Sequence, residues 1–158
     1  GIIKGTSSTT FSPAEPVKRA DFILLLVRAL EFSADFDSNF ADVAPNAYYY
    51  EALGIAKTLG IAQGVGDNKF NPEAAISRQD LMVLIDRAMK IAGKQLVEGD
   101  ESDLDIFADK SAIAPYALKS IATLVKNGIV LGDGSLINPL GNATRAETAV
   151  LIYRVYNM

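Results

Sequence analysis

The chain has 158 residues, 49% of them hydrophobic and 22% charged, a globular balance that excludes a disordered or collagen-like polypeptide. It contains no Cys, no His and no Trp, which removes disulfides, thiolate chemistry, the usual general base and the commonest metal ligand. The net charge of −4, with Lys and Arg scattered, argues against nucleic acid, and no apolar run approaches the roughly 20 residues that cross a bilayer.

The amino end carries no charged-then-apolar leader, so the segment is expected to bring no targeting signal of its own and to derive from a longer protein. Its first motif, Gly1-Ile2-Ile3-Lys4-Gly5, returns as Gly60-Ile61-Ala62-Gln63-Gly64 and Gly128-Ile129-Val130-Leu131-Gly132. Phe11-Ser12-Pro13 returns as Phe70-Asn71-Pro72 and Ile137-Asn138-Pro139. Lys18-Arg19-Ala20-Asp21 returns as Ser77-Arg78-Gln79-Asp80 and Thr144-Arg145-Ala146-Glu147, and a second Arg follows nine positions after the first: Arg28, Arg87 and Arg154. This is an internal repeat in three copies. Copies two and three have a further upstream unit, Phe40-Ala41-Asp42 with Tyr48 and Phe107-Ala108-Asp109 with Tyr116, which copy one lacks.

Each copy reads as helix, Gly-rich loop, helix. In copy two, Tyr49, Leu53, Ala56 and Leu59 recur at helical spacing and Gly60 stops the run. In copy three, Pro115 opens and Asn127-Gly128 closes the equivalent helix. The second helix starts at the Arg motif, where Ser77 with Asp80 and Thr144 with Glu147 match the capping box; Lys18 makes a weaker start in copy one. The helix bodies, residues 22–30, 81–89 and 149–155, carry few charges, which predicts burial on more than one side. The acidic stretch with Glu98, Asp100, Glu101, Asp103 and Asp105 is expected to be a solvated loop.

Arg19, Arg78 and Arg145 fall one residue inside a helix start, where a cation opposes the helix dipole. Three such cases have two explanations. One is an ion pair with the nearby acid or across a packed interface; the other is an anion held by free helix amides and the guanidinium together. The second Arg lies half a turn round the same helix and near its carboxyl end, so Arg28, Arg87 and Arg154 read as structural. Tyr48 and Tyr116 read either as core or rim residues, or as aromatic faces on which a sugar stacks. Asp67-Asn68-Lys69 resembles an EF-hand start only faintly: the sixth position is not Gly and the twelfth is Arg78.

Taken together, these ordered motifs resemble the S-layer homology domain family, and copy three holds the family's Thr-Arg-Ala-Glu motif intact at residues 144–147. Departures are the missing first helix and aromatic of copy one, Lys18 and Ser77 in place of Thr, Gln79 in place of Ala, Tyr in place of Trp, and a copy-three loop one residue shorter. The resemblance implies an all-α, pseudo-threefold assembly with grooves between neighbouring repeats. It divides the chain into residues 1–35 (second half of repeat 1), 36–93 (repeat 2), 94–105 (acidic linker) and 106–158 (repeat 3).

The implied function is non-catalytic anchoring at an extracellular bacterial surface, cell wall or S-layer, through secondary cell wall polysaccharide whose pyruvylated sugar is anionic. The ligand-binding residues it implies are Arg19, Arg78, Arg145, Tyr48, Tyr116, Gly5, Gly64, Gly132, Asp21, Asp80 and Glu147. No cofactor, metal, nucleic acid or membrane insertion is expected, and no enzyme activity. The competing reading is a protein–protein or surface-lattice module, and the truncated first repeat is expected to offer a surface for self-association over the second helix of copy one.

Overall fold

The computed structural model describes residues 12–158. It is all-α: α1 (Arg19–Ala29), α2 (Tyr50–Thr58), α3 (Arg78–Ile91), α4 (Leu118–Lys126) and α5 (Arg145–Tyr156), with 3₁₀ turns at Glu101–Leu104 and Lys110–Ala112 and no strand among the described residues. No described helix is long and apolar enough to cross a membrane.

The punctuation follows the repeat. Gly60 and Gly128 adopt positive φ, and the residues after them donate back to Ala56 O and Leu124 O, which satisfies carbonyls the helix ends leave open. Thr144 and Glu147 form the full capping box. The copy-two box is half made: Ser77 Oγ accepts from Asp80 N–H at 3.2 Å, but the Asp80 carboxylate is one methylene shorter than Glu147 and turns outward to other partners. Asp42 and Asp109, the acids of the upstream motif, each clamp a turn. Asp42 accepts from Phe70 N–H (2.9 Å) and Asn71 N–H (2.8 Å), and Asp109 from Ile137 N–H (2.9 Å) and Asn138 N–H (2.7 Å). Burial pushes the Asp42 carboxyl up, but these amide bonds outweigh it and hold it below the ordinary range.

The three stretches ahead of the Arg-motif helices close on one another in a ring. Val17 N–H donates to Ala143 O (3.0 Å), Ala143 N–H to Ile76 O (2.9 Å), and Ile76 N–H to Val17 O (2.9 Å). Each helix then seats its first two amides on the Pro turn of another copy. Arg19 and Ala20 donate to Ala74 O and Pro72 O, Arg78 and Gln79 to Gly141 O and Pro139 O, and Arg145 and Ala146 to Glu15 O and Pro13 O. Copy one docks on two, two on three, and three on one.

Around this ring α1 packs against α2, α3 and α5, and α4 packs on α3. Phe22, Ile23, Leu26, Phe70, Ile76, Leu81 and Ile85 form the centre of the core. One expectation is corrected here and one is extended. Helix α5 is not buried on several sides: Leu151, Ile152 and Val155 face the core, while Val150 and Tyr153 are 47% and 69% exposed. The acidic stretch keeps Glu98, Asp100, Glu101 and Asp105 in solvent, as expected, and is at the same time a strap along α4. Leu104 is fully buried, Lys119 pairs with Glu98 (2.9 Å) and Lys126 with Asp103 (3.3 Å), and a side chain at Gly99 would collide with the Ala122 backbone.

Candidate functional site

The ring geometry brings the first Arg of one copy against the acid of the next and leaves a groove at each of two described junctions. In the first groove, a cavity of about 360 Å³, Arg19 of α1 lies across the start of α3. Its Nε donates to Phe70 O (2.9 Å), its Nη1 to Asp80 Oδ2 (2.7 Å), and its guanidinium carbon sits 4.7 Å from the Phe70 ring centroid, a cation–π distance. The other Asp80 oxygen accepts from Tyr116 Oη at 2.5 Å, so all three copies meet at one carboxylate. Burial first, and then the bond to this carboxylate, push the Tyr116 phenol up to about 12. Gly64 and Arg87 complete the lining, and Arg87 Nη1 donates to Ile61 O at 3.3 Å. Burial pulls the Arg87 guanidinium below its ordinary value, against the pull of Asp86 and Asp80.

The second groove, about 420 Å³, repeats the plan one copy on. Arg78 Nε donates to Ile137 O (3.0 Å) and its Nη1 pairs with Glu147, whose other oxygen accepts from Thr144 N–H at 2.9 Å. Gly132, Asp133 and Arg154 line it, with Arg154 Nη1 donating to Ile129 O at 2.7 Å. No aromatic residue lines this groove among the described residues.

At the third junction Tyr48 Oη donates to Asp21 Oδ1 at 2.5 Å, the counterpart of Tyr116 with Asp80. Arg145 begins α5, its N–H donating to Glu15 O. Gly5 lies outside the described residues.

Three sequence expectations change in this geometry. The amides at the starts of α1, α3 and α5 are not free for an anion, because backbone carbonyls of another copy take the first two. Of the two explanations for the motif Arg, the ion pair across a packed interface is made, by Arg19 with Asp80 and Arg78 with Glu147. Finally, Arg87 and Arg154 sit in the grooves with Arg19 and Arg78. The half-turn separation holds along one helix, but each groove takes its first Arg from one copy and its second from the next. The invariant nine-residue spacing held that signal.

The loop glycines have a packing reason. Gly64 (φ +81°) and Gly132 (φ +71°) lie where a Cβ would come within 2.9 Å of the Phe40 ring and 2.4 Å of the Phe107 ring, and 2.5 and 2.7 Å from the carbonyl oxygens of Lys69 and Leu136. The motif Phe thus presses the loop into the groove wall. No cluster of acidic side chains suited to a metal ion occurs among the described residues.

Comparison with known proteins follows the same repeat. The family described as the S-layer homology domain matches residues 1–23, 39–82 and 106–149. The chain is 31% identical over 158 residues to the surface-layer 125 kDa protein of Lysinibacillus sphaericus, covering 98% of this chain and 13% of that protein. It is 31% identical over 156 residues to an amylopullulanase of Thermoanaerobacterium thermosulfurigenes, covering 96% of this chain and 8% of the enzyme. Among solved structures, an undecaheme cytochrome from the S-layer of Carboxydothermus ferrireducens superposes with a TM-score of 0.53 at 18% identity, covering 90% of this chain and 17% of that one, a likeness of fold. The chain therefore spans a small fraction of the length of these relatives.

Proposed function

The chain belongs to the S-layer homology domain family, a non-catalytic attachment module of the cell surface, and we propose that it anchors its parent protein by holding an anionic wall polysaccharide in the first groove. The observation that carries this reading is the convergence of Arg19, Arg87, Gly64 and Tyr116 on one cavity of about 360 Å³. Two guanidinium groups face one carboxylate there, which leaves an excess of positive charge for a carboxylate-bearing sugar such as a pyruvylated one. Tyr116, 58% exposed with its hydroxyl fixed by Asp80, presents a ring face of the kind on which a sugar stacks.

Arg19 is committed to Phe70 O and Asp80, whereas Arg87 has only the 3.3 Å bond to Ile61 O. We assign Arg87 the contact with the ligand carboxylate and Arg19 the role of holding Asp80 and, through it, Tyr116. The tandem use of the same junction is also what a pseudo-threefold arrangement requires, and the closed ring of backbone bonds supports that arrangement. The test is titration of the purified chain with wall-polymer fragments, with and without their pyruvyl groups. Tight binding of the pyruvylated fragment alone supports the reading, and equal binding of both overturns it.

A further inference from the structure

The loop that walls the first groove is held differently from its counterpart in the second. Gln63, Gly64, Val65 and Phe70 line the first groove. The turn inside this loop, residues 66–69, is closed by Lys69 N–H donating to Gly66 O at 2.9 Å. Both of its central residues, Asp67 (φ +49°) and Asn68 (φ +53°), lie in the left-handed region. That is the φ pattern of a type I′ turn, which favours glycine at the second central position. A residue with a side chain persists there only where its surroundings fix it. In copy three the equivalent turn, residues 133–136, places positive φ on Gly134.

The contacts that fix Asn68 converge on Lys57, in the last turn of α2. Its Nζ donates to Asn68 Oδ1 (2.9 Å) and to Asn39 O (2.8 Å), and stands 4.9 Å from the centroid of the Phe40 ring. Asn68 O accepts from Ala41 N–H at 2.7 Å, and the same Phe40 ring bears on Gly64, where a Cβ would come within 2.9 Å of it. One ammonium thus ties together the left-handed turn, the motif Phe and the chain ahead of it. Copy three keeps the backbone bond, Ala108 N–H to Ser135 O at 2.8 Å, but not the tie. Ile106, Val125 and Ser135 stand there in place of Asn39, Lys57 and Asn68; Lys57 and Val125 each stand three residues before the glycine that ends their helix. A lysine with a turn lacking glycine in one copy, and a valine with a glycine turn in the other, form a matched exchange.

We propose that Lys57, which does not itself line the groove, is a positioning residue for it: Lys57 fixes the Asp67–Asn68 turn and, through Phe40, the Gly64 wall in the shape the ligand meets. The consequence for the ligand rests on the proposed glycan function; the hold on the turn does not.

The experiment uses Lys57→Met, which keeps the apolar stem and removes the ammonium. Amide hydrogen exchange, followed by NMR on the purified chain, reads the turn through Val65 N–H and Lys69 N–H, which donate to Lys69 O (2.7 Å) and Gly66 O (2.9 Å). Both are expected to exchange roughly 2- to 12-fold faster, the equivalent of one hydrogen bond, while the amides of α3 and α5 keep the parent's rates. Affinity for pyruvylated wall-polymer fragments is expected to fall by a similar factor. Asn68→Gly supplies the residue the turn favours, so the double variant Lys57→Met, Asn68→Gly regains both the slow exchange and the parent's affinity. A lysine that merely stabilised α2 would not be replaced by a glycine in the following loop. Unchanged exchange at Val65 and Lys69 in Lys57→Met, faster exchange throughout the chain, or a loosened turn that Asn68→Gly does not recover overturns the assignment. If the turn loosens and recovers while affinity stays at the parent's value throughout, the groove reading falls and the hold of Lys57 on the turn stands.

Discussion

The two described grooves share a plan and differ in what fills it. Both have a motif Arg paired with the next copy's acid, a loop glycine pressed by a Phe, and a second Arg donating to a carbonyl after the glycine turn. The first adds Tyr116 and sets the Phe70 ring beneath Arg19; the second has Ile137 at that place, no aromatic lining among the described residues, and an extra carboxylate, Asp133. One frame thus yields a cavity with surplus positive charge and an aromatic wall, and another with its charges balanced and that wall absent. The repeat builds the frame through backbone bonds and glycines, and the identity of a few side chains decides the charge and aromatic surface each groove presents.

The largest effect tests the floor of the comparison. Phe70→Ala removes a fully buried ring and is expected to lower stability by about 3–5 kcal/mol, measured by denaturant unfolding at constant m-value. It also removes the ring beneath the Arg19 guanidinium, so polymer binding is expected to fall with it. Ile137→Ala, equally buried under Arg78, is expected to lower stability by about 2–5 kcal/mol while the folded fraction keeps the parent's affinity. Equal loss of binding in both variants would break the distinction between the grooves.

Next in size are the glycines. Gly64→Ala and Gly132→Ala each place a side chain at positive φ, at about 1–2 kcal/mol for the conformation with the collision on the motif Phe in addition. Thermal unfolding should show similar losses for the two, and polymer titration a difference: only Gly64→Ala reshapes the groove assigned to the ligand.

The frame was legible in the sequence because it rests on residues with narrow conformational roles. Gly60 and Gly128 end helices, and Thr144 with Glu147 caps α5. The pairing of copies was not legible. Arg87 and Arg154 were displaced from the site by an angle measured along one helix, whereas the grooves form between helices of different copies. The open face was likewise assigned to the second helix of copy one. In the fold α2 covers α1, and α5, at the other end of the chain, has the exposed stripe. Local pattern marks which face is apolar; only the closure of the ring determines which helix lies on it.

A smaller effect belongs to Tyr116. Its phenol is raised above the unfolded value to about 12. The stabilisation it adds is therefore present in full below about pH 10 and is lost as pH rises towards about 12. Tyr116→Phe should lower Tm slightly at pH 8, and the gap from the parent should close across that alkaline window. A gap that stays constant to the top of the window would show that Asp80 does not hold the hydroxyl.

The most direct test of the difference between the grooves is the affinity of Arg87→Ala and Arg154→Ala for purified, pyruvylated wall-polymer fragments, measured by calorimetry beside the parent chain. A charge-assisted hydrogen bond lost from the ligand is worth about 1.5–3 kcal/mol, or roughly 10- to 150-fold in Kd. Arg87→Ala is predicted to weaken binding by about that factor, and Arg154→Ala to bind like the parent. If Arg154→Ala carries the loss and Arg87→Ala binds normally, the ligand lies in the second groove and the assignment is contradicted.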